Sequence, residues 1–432
     1  MIEPPPDSAA LSAVDGTAAV RGGTLHPAAW TEALLDRAHT HDARVHAWTQ
    51  NAEDRRRRLG TIAASDPSLP LAGLPVGIKD VIDAAGWPMQ CNSPIEAGRV
   101  ATVSAAAVAR LEAAGAIVIG KTVTTEYAFM APGPTTNPHD PSRTPGGSSS
   151  GSAAAVADYQ VPVALTTQTG GSTIRPAAFC GIVGYKPPFG QVPVKGLALL
   201  APSLDVIGVH ARNVADIALV AGVMEAAPRA TEVTGPKRFI LLASGEADDI
   251  APEARTMLAE AAEQLRRAGA TVREMARPPS FEGLDAAHRV IMSVEVACSF
   301  AARYATRRRD LSDSLAAFIE RGQSTSGEEL AEAQSAVATA RADLHALGTD
   351  ILLSPAAQGE APFGLHSTGN AALNRPWSLL HVGVMTVPAG VGPNRMPLGL
   401  QLIDPLPGAP SLFPAAAFAE RALVRAANPR RA

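Results

Sequence analysis

Cysteine is scarce in this sequence. Three cysteines among 432 residues, Cys91, Cys180 and Cys298, are odd in number and widely spaced, with no C-x-x-C pair or nearby histidine set. They read as buried free thiols rather than metal ligands. None of the ten histidines falls in an H-E-x-x-H arrangement, so metal-assisted hydrolysis finds no support and no metal site is expected. Positive charge is not in surplus either: 37 Lys and Arg face 41 Asp and Glu, a formal net charge of −4. Neutralising phosphates would need such a surplus, so nucleic acid is not the expected partner. The runs Arg55 to Arg58 and Arg307 to Arg309 read as solvated helix faces. No run of about 18 apolar residues is free of charge, and MIEPPPDSAALSAV lacks the basic start and continuous apolar stretch of a secretory signal. A soluble, cytoplasmic chain without membrane contact is the expectation.

The first 65 residues form a helical lead-in, with PAAWTEALLDRA carrying apolar positions at helical spacing. Short apolar runs follow, LPVGI, AIVIG, VPVAL, RFILLA and DILLSP, alternating with the longer amphipathic segments VSAAAVARLEAAG, VADIALVAGVM and PEARTMLAEAAEQLRRAG. Strands of four to six residues between longer helices predict an α/β fold, a mixed twisted sheet covered on both faces by helices. Residues 284–347 read as almost purely helical, a helical insertion or lid. MTVPAGV and PLGLQLI return to strands, and a helix closes the chain near 410–427. With no internal repeat and no long low-complexity linker, residues 1–432 are expected to form a single domain with its core in 70–215.

Two glycine-rich stretches and one lysine carry candidate chemistry. In TPGGSSSGSA, residues Gly147, Ser149 and Gly151 match G-x-S-x-G, but a nucleophile elbow needs a strand directly before it, and Pro138, Pro141 and Pro145 make one improbable. The stretch also fits a flexible connector. It is not a phosphate-binding loop, because Ser152 and Ala153 stand where Lys and Ser or Thr would be required. In VPVALTTQTGGSTIRPAAF a buried strand runs into a tight turn with Ser172 directly after Gly170 and Gly171. Such glycines let backbone N–H groups converge on one point, as an oxyanion requires; on this stretch alone a bend forced by packing is the plainer alternative. Lys79 closes the run LPVGI. Solvated, it is inert; buried, it loses the stabilisation of its charge and can accept a proton near neutrality.

Together LPVGIKD, AVARLEAAGAIVIGKTVTTEYAF, TPGGSSSGSA, TGGSTIRPAAFCGIVGYKP and SLDVIGVHARNVAD over about 70–215, with DILLSPAAQGEAP, NRPWSLLHVGVMTVPAG and PLGLQLI later, resemble the amidase signature family of serine hydrolases. Ser148 and Ser172 lie 24 residues apart, the separation of that family's two catalytic serines. The resemblance implies a Ser-cisSer-Lys triad: Ser172 as nucleophile, Ser148 after a cis peptide as the bridging serine, and Lys79 as base. It further implies an oxyanion hole at Thr169, Gly170, Gly171 and Ser172, and no cofactor. Met89, Asn92, Phe129, Met130 and Trp377 are the substrate-pocket candidates by family position, and Asp205 would brace the active-site loops.

The sequence departs from the common pattern at Gln168, where aspartate is frequent, at Ser150, where glycine is frequent, and at Arg175, which stands one position further from the nucleophile. These departures suit a general amidase. The expected substrate is a small carboxamide or anilide, or a carbamate (urethane) or ester, cleaved through an acyl-enzyme by a monomer or homodimer. The alternatives are an amidotransferase A-type subunit hydrolysing glutamine within a complex, and a binding protein on an inactive amidase scaffold.

Overall fold

The structure is a computed structural model that describes residues 2–232, 237–242 and 249–427. Met1, and Ala243 at the end of the run RFILLA, lie outside the described residues. The strands are β1 (Pro75–Lys79), β2 (Ile117–Thr122), β3 (Val163–Gln168), β4 (Val183–Lys186), β5 (Val206–Ala211), β6 (Arg238–Leu242), β7 (Thr271–Met275), β8 (Ile351–Pro355), β9 (Gly383–Val391) and β10 (Pro397–Asp404). All but β4, β5 and β7 fall on the apolar runs named above. They join into one sheet in the order β2-β1-β3-β5-β4-β9-β10-β8-β6-β7. Its flanks are parallel, β2-β1-β3 and β8-β6-β7, and its centre is antiparallel. The sheet is therefore mixed, as expected.

Helices cover both faces. The lead-in supplies α1 (Ala13–Arg21), α2 (Pro27–Val45) and α3 (Ala52–Leu59), and the core supplies α4 (Ala106–Ala113), α5 (Ser150–Ala157), α6 (Ile174–Cys180) and α7 (Val214–Met224). Next come α8 (Pro252–Arg267), the insertion helices α9 (Leu284–Ser299), α10 (Ala301–Arg307), α11 (Asp313–Ser324) and α12 (Gly327–Ala346), then α13 (Arg375–Leu379) and α14 (Leu412–Ala427). Because side chains alternate across a strand, neighbouring residues enter different cores. Phe239, Leu353 and Leu402 join the larger cluster with α8 and α14. Ile240, Leu352 and Ile403 join a second one with Phe179 of α6 and with α9 and α12.

Two expectations about single residues are corrected. Arg55 is not a solvated member of its run: it is buried, with its guanidinium 4.0 Å from the Trp48 ring centroid, and burial brings its pKa down to about 10. Cys91 and Cys180 are buried, but Cys298 is exposed. Among the described residues no helix is long and apolar enough to cross a membrane.

Candidate active site

The parallel strands β1 and β3 pair with Val76 opposite Val163 and Ile78 opposite Leu165, so their carboxyl ends lie side by side. Carboxyl ends of parallel strands are where α/β sheets open crevices. Lys79 ends β1, and Gln168 ends β3 just before the turn Thr169 to Thr173 that leads into α6. Ser148 comes from the loop entering α5, and the Gly147–Ser148 peptide is cis. The segments interlock through backbone: Ser149 N–H donates to the Ser172 carbonyl, and Thr125 N–H to the Ser148 carbonyl, each over 3.3 Å. Glycine is required here by close approach. A Cβ on Gly147 would stand 2.6 Å from Thr368 Cγ2, and one on Gly171 2.6 Å from Asn374 Oδ1.

Lys79 is wholly buried. Its Nζ donates to Ser148 Oγ over 2.6 Å and to Thr167 Oγ1 over 2.7 Å, and among the described residues no carboxylate forms an ion pair with it. Burial holds its pKa well below the usual lysine value, against a smaller opposing pull from Asp205. Lys121 on β2 is buried too, but it lies 3.2 Å from Asp80 Oδ1 and donates to the Ile82 and Pro88 carbonyls. Of these two lysines, Lys79 is the one equipped to be an uncharged base.

Ser172 is 8% exposed and lines a cavity of about 260 Å³. Among the described residues no hydrogen bond involves its hydroxyl, so Lys79 and Ser148 are joined while the step from Ser148 to Ser172 is unmade. Unliganded active sites often leave such bonds open. The backbone N–H groups of Gly170, Gly171 and Ser172 likewise have no acceptor among the described residues, and all three residues line the cavity. Ser149 does not reach it: its hydroxyl donates to the Thr167 carbonyl, and no strand precedes it, against the elbow reading.

Three side chains outside the expected triad hold this turn: Gln168 and Arg175, where the sequence departs from the common pattern, and Asp205, expected there as a brace. Gln168 Oε1 accepts from the Thr173 and Ile174 N–H groups, capping α6, and its Nε2 donates to Ser378 Oγ over 3.0 Å. Asp205 braces two loops at once, accepting from Thr169 Oγ1 over 2.5 Å and from the Leu200 and Ala201 N–H groups. Burial raises its pKa to about 6. Arg175 Nη2 donates to the Gly147 carbonyl over 2.8 Å and to Thr368 Oγ1. Thr167, Thr368 and Ser378 carry no local sequence signal, because only the fold brings them to Lys79, Arg175 and Gln168.

The cavity lining is part polar and part apolar. Phe129 and Met130 line it with Met292 of α9 and Phe318 of α11, and the Phe129 and Phe318 rings lie 4.8 Å apart. The helical insertion thus forms part of the site. His288, Arg289, Thr368 and Arg375 supply polar surface. Met89, Asn92 and Trp377 do not line the cavity, a correction of the family-position expectation. Met89 is packed in the main core. Asn92 is exposed. Trp377 packs edge-on to Phe281 beside a separate, smaller cavity. Among the described residues no group of three or more His, Cys, Asp or Glu is placed to hold a metal ion.

Comparison with known proteins gives one consistent family. The profile described as "Amidase" matches residues 29–405. A glutamyl-tRNA(Gln) amidotransferase subunit of Thermus thermophilus is 33% identical over 95% of this chain and 96% of its own length. The corresponding protein of Synechococcus sp. is 32% identical over 86% and 89%. Among solved structures, one described as an amidase superposes with a TM-score of 0.85 at 26% identity, covering 96% of this chain and all of its own. A chain from a vestigial complex tied to the evolutionary origins of an s-triazine catabolic enzyme gives 0.83 at 27%, over 96% and 98%.

Proposed function

The chain belongs to the amidase family, and from that premise we propose that it is a serine hydrolase cleaving a carbonyl carbon–nitrogen bond through an acyl-enzyme on Ser172. The observation that carries this reading is the buried Lys79 amine, bonded to Ser148 and without a carboxylate ion pair among the described residues, beside a glycine turn whose residues line a cavity. Neutral Lys79 takes the Ser148 proton as Ser148 takes that of Ser172, whose oxygen attacks the carbonyl carbon. The relay requires the Ser172 hydroxyl to come within hydrogen-bonding reach of Ser148. Negative charge gathers on the carbonyl oxygen, where N–H groups of the Thr169 to Ser172 turn stabilise it, each donor contributing about 3–4 kcal/mol in comparable sites. Collapse expels the amine with the proton returned through Ser148, and water then attacks the acyl-enzyme by the same route.

Phe129, Met130, Met292 and Phe318 favour a moderately hydrophobic small substrate, an aryl or alkyl carboxamide or anilide, with carbamates and esters open to the same attack. The second reading, a glutamine-hydrolysing amidotransferase A-type subunit, is favoured by the curated relatives and requires partner chains. Treating the purified chain with a fluorophosphonate and locating the adduct by mass spectrometry tests the nucleophile; modification of Ser149, or of neither serine, overturns the assignment. A panel of amides, anilides, carbamates and esters then separates the readings. Turnover by the chain alone supports the amidase, whereas glutamine hydrolysis that appears only with a co-purifying partner supports the other.

A further inference from the structure

Two carbonyl groups of the turn bearing Ser172 are tied down from elements remote in sequence. His288 of α9 donates from Nε2 to the Thr169 carbonyl over 2.9 Å. The Ser378 hydroxyl of α13 donates to the Gly170 carbonyl over 2.9 Å. In a trans peptide the C=O of one residue and the N–H of the next point in opposite directions, and neither of these peptides is cis. Anchoring the Thr169 carbonyl therefore fixes where the Gly170 N–H points, and anchoring the Gly170 carbonyl does the same for Gly171. Consecutive glycines have wide conformational freedom, so the two anchors fix directions that the glycines themselves leave open.

Both anchors have a defined donor sense. A carbonyl can only accept, so the His288 proton resides on Nε2; burial keeps the ring neutral, with its pKa lowered to about 4. Ser378 accepts from Gln168 Nε2, which leaves its own proton for the Gly170 carbonyl. An aspartate at position 168, ionised, could not make that donation, so Gln168 and Ser378 work as a pair.

We propose that His288 and Ser378 are positioning residues for transition-state stabilisation, each locking one peptide plane so that the Gly170 and Gly171 N–H groups converge on the substrate's carbonyl oxygen. The proposal rests on the reading of Ser172 as nucleophile. Neither residue touches the reacting atoms. Donors of this kind matter most where charge develops, so their misalignment acts on kcat and leaves ground-state binding largely intact.

The test uses the full chain and a neutral amide that the wild type hydrolyses, comparing His288→Leu, His288→Gln and Ser378→Ala in kcat, KM and thermal midpoint. His288→Leu and Ser378→Ala are expected to lower kcat tenfold or more with KM within threefold. His288→Gln, whose amide nitrogen can donate from about the place of Nε2, is expected to recover kcat to within threefold of wild type. The proposal is overturned if His288→Leu or Ser378→Ala keeps kcat within twofold, if their losses fall on KM alone, or if a folded His288→Gln is as impaired as His288→Leu. Should His288→Leu fail to fold, His288→Gln and Ser378→Ala decide by the same criteria. A wild type that neither turns over nor is labelled at Ser172 sinks the nucleophile reading itself; an active, labelled wild type with indifferent variants sinks only this inference.

Discussion

Three buried lysines in one sheet show how much a residue's chemistry is set by its partners. Lys121 sits against Asp80, Lys186 donates to the Pro187 and Val382 carbonyls, and Lys79 meets only hydroxyls. Hydroxyls can return a proton; carbonyls cannot. Lys79→Ala is therefore expected to remove nearly all turnover, Ser172→Ala to abolish it, and Ser148→Ala to leave a small residue, all readable from single-turnover rates. Full activity in Ser172→Ala would overturn the assignment. The pH dependence has a definite sign. The active amine is neutral, so kcat/KM should fall as pH drops through the lowered Lys79 pKa. The Asp205 charge, present above about pH 6, pulls that pKa up, so Asp205→Asn should move the acidic limb to lower pH. A shift in the opposite direction contradicts this electrostatic account. The sequence showed Lys79, Ser148 and Ser172 through their motifs, but the partners Thr167, His288 and Ser378 could not be found there, since nothing in their local sequence departs from ordinary strand or helix.

At the scale of elements, the short apolar runs were legible because burial on both faces selects continuous hydrophobicity. LPVGI, VPVAL and DILLSP became β1, β3 and β8. The short α6 was harder to read: Pro176 stands inside it, and its first turn is capped by Gln168 from the preceding strand rather than by its own N-cap. Of the pocket candidates, Met89, Asn92 and Trp377 lie outside the cavity. Phe129 and Met130 line the cavity, but Trp377 lies on α13, where Arg375 lines the cavity and Trp377 the separate smaller one. The insertion has its own packing requirement, since α11 crosses α9 at Gly322, where a Cβ would come 1.9 Å from the Ser293 carbonyl oxygen. Gly322→Ala must push these helices apart. Overpacking of that kind costs about 1–3 kcal/mol, so a lowered thermal midpoint is expected, together with a raised KM because Met292 and Phe318 shift. An unchanged midpoint would show that the crossing yields without cost.

For the molecule as a whole, the proposed relay among Lys79, Ser148 and Ser172 asks nothing of a metal. Dialysis against EDTA should leave kcat within twofold of the untreated protein; a loss restored by added zinc would require a different mechanism. The cavity's size sets a wider boundary. About 260 Å³ is less than twice the roughly 150 Å³ void that admits one benzene ring. Loop, insertion and the segment around Thr368 enclose Ser172 on several sides. A recess of that volume has room for a small amide but not for a folded polypeptide, whose main-chain amides are held in helices and sheets, so the proposed nucleophile can share its surroundings with other proteins and leave them whole.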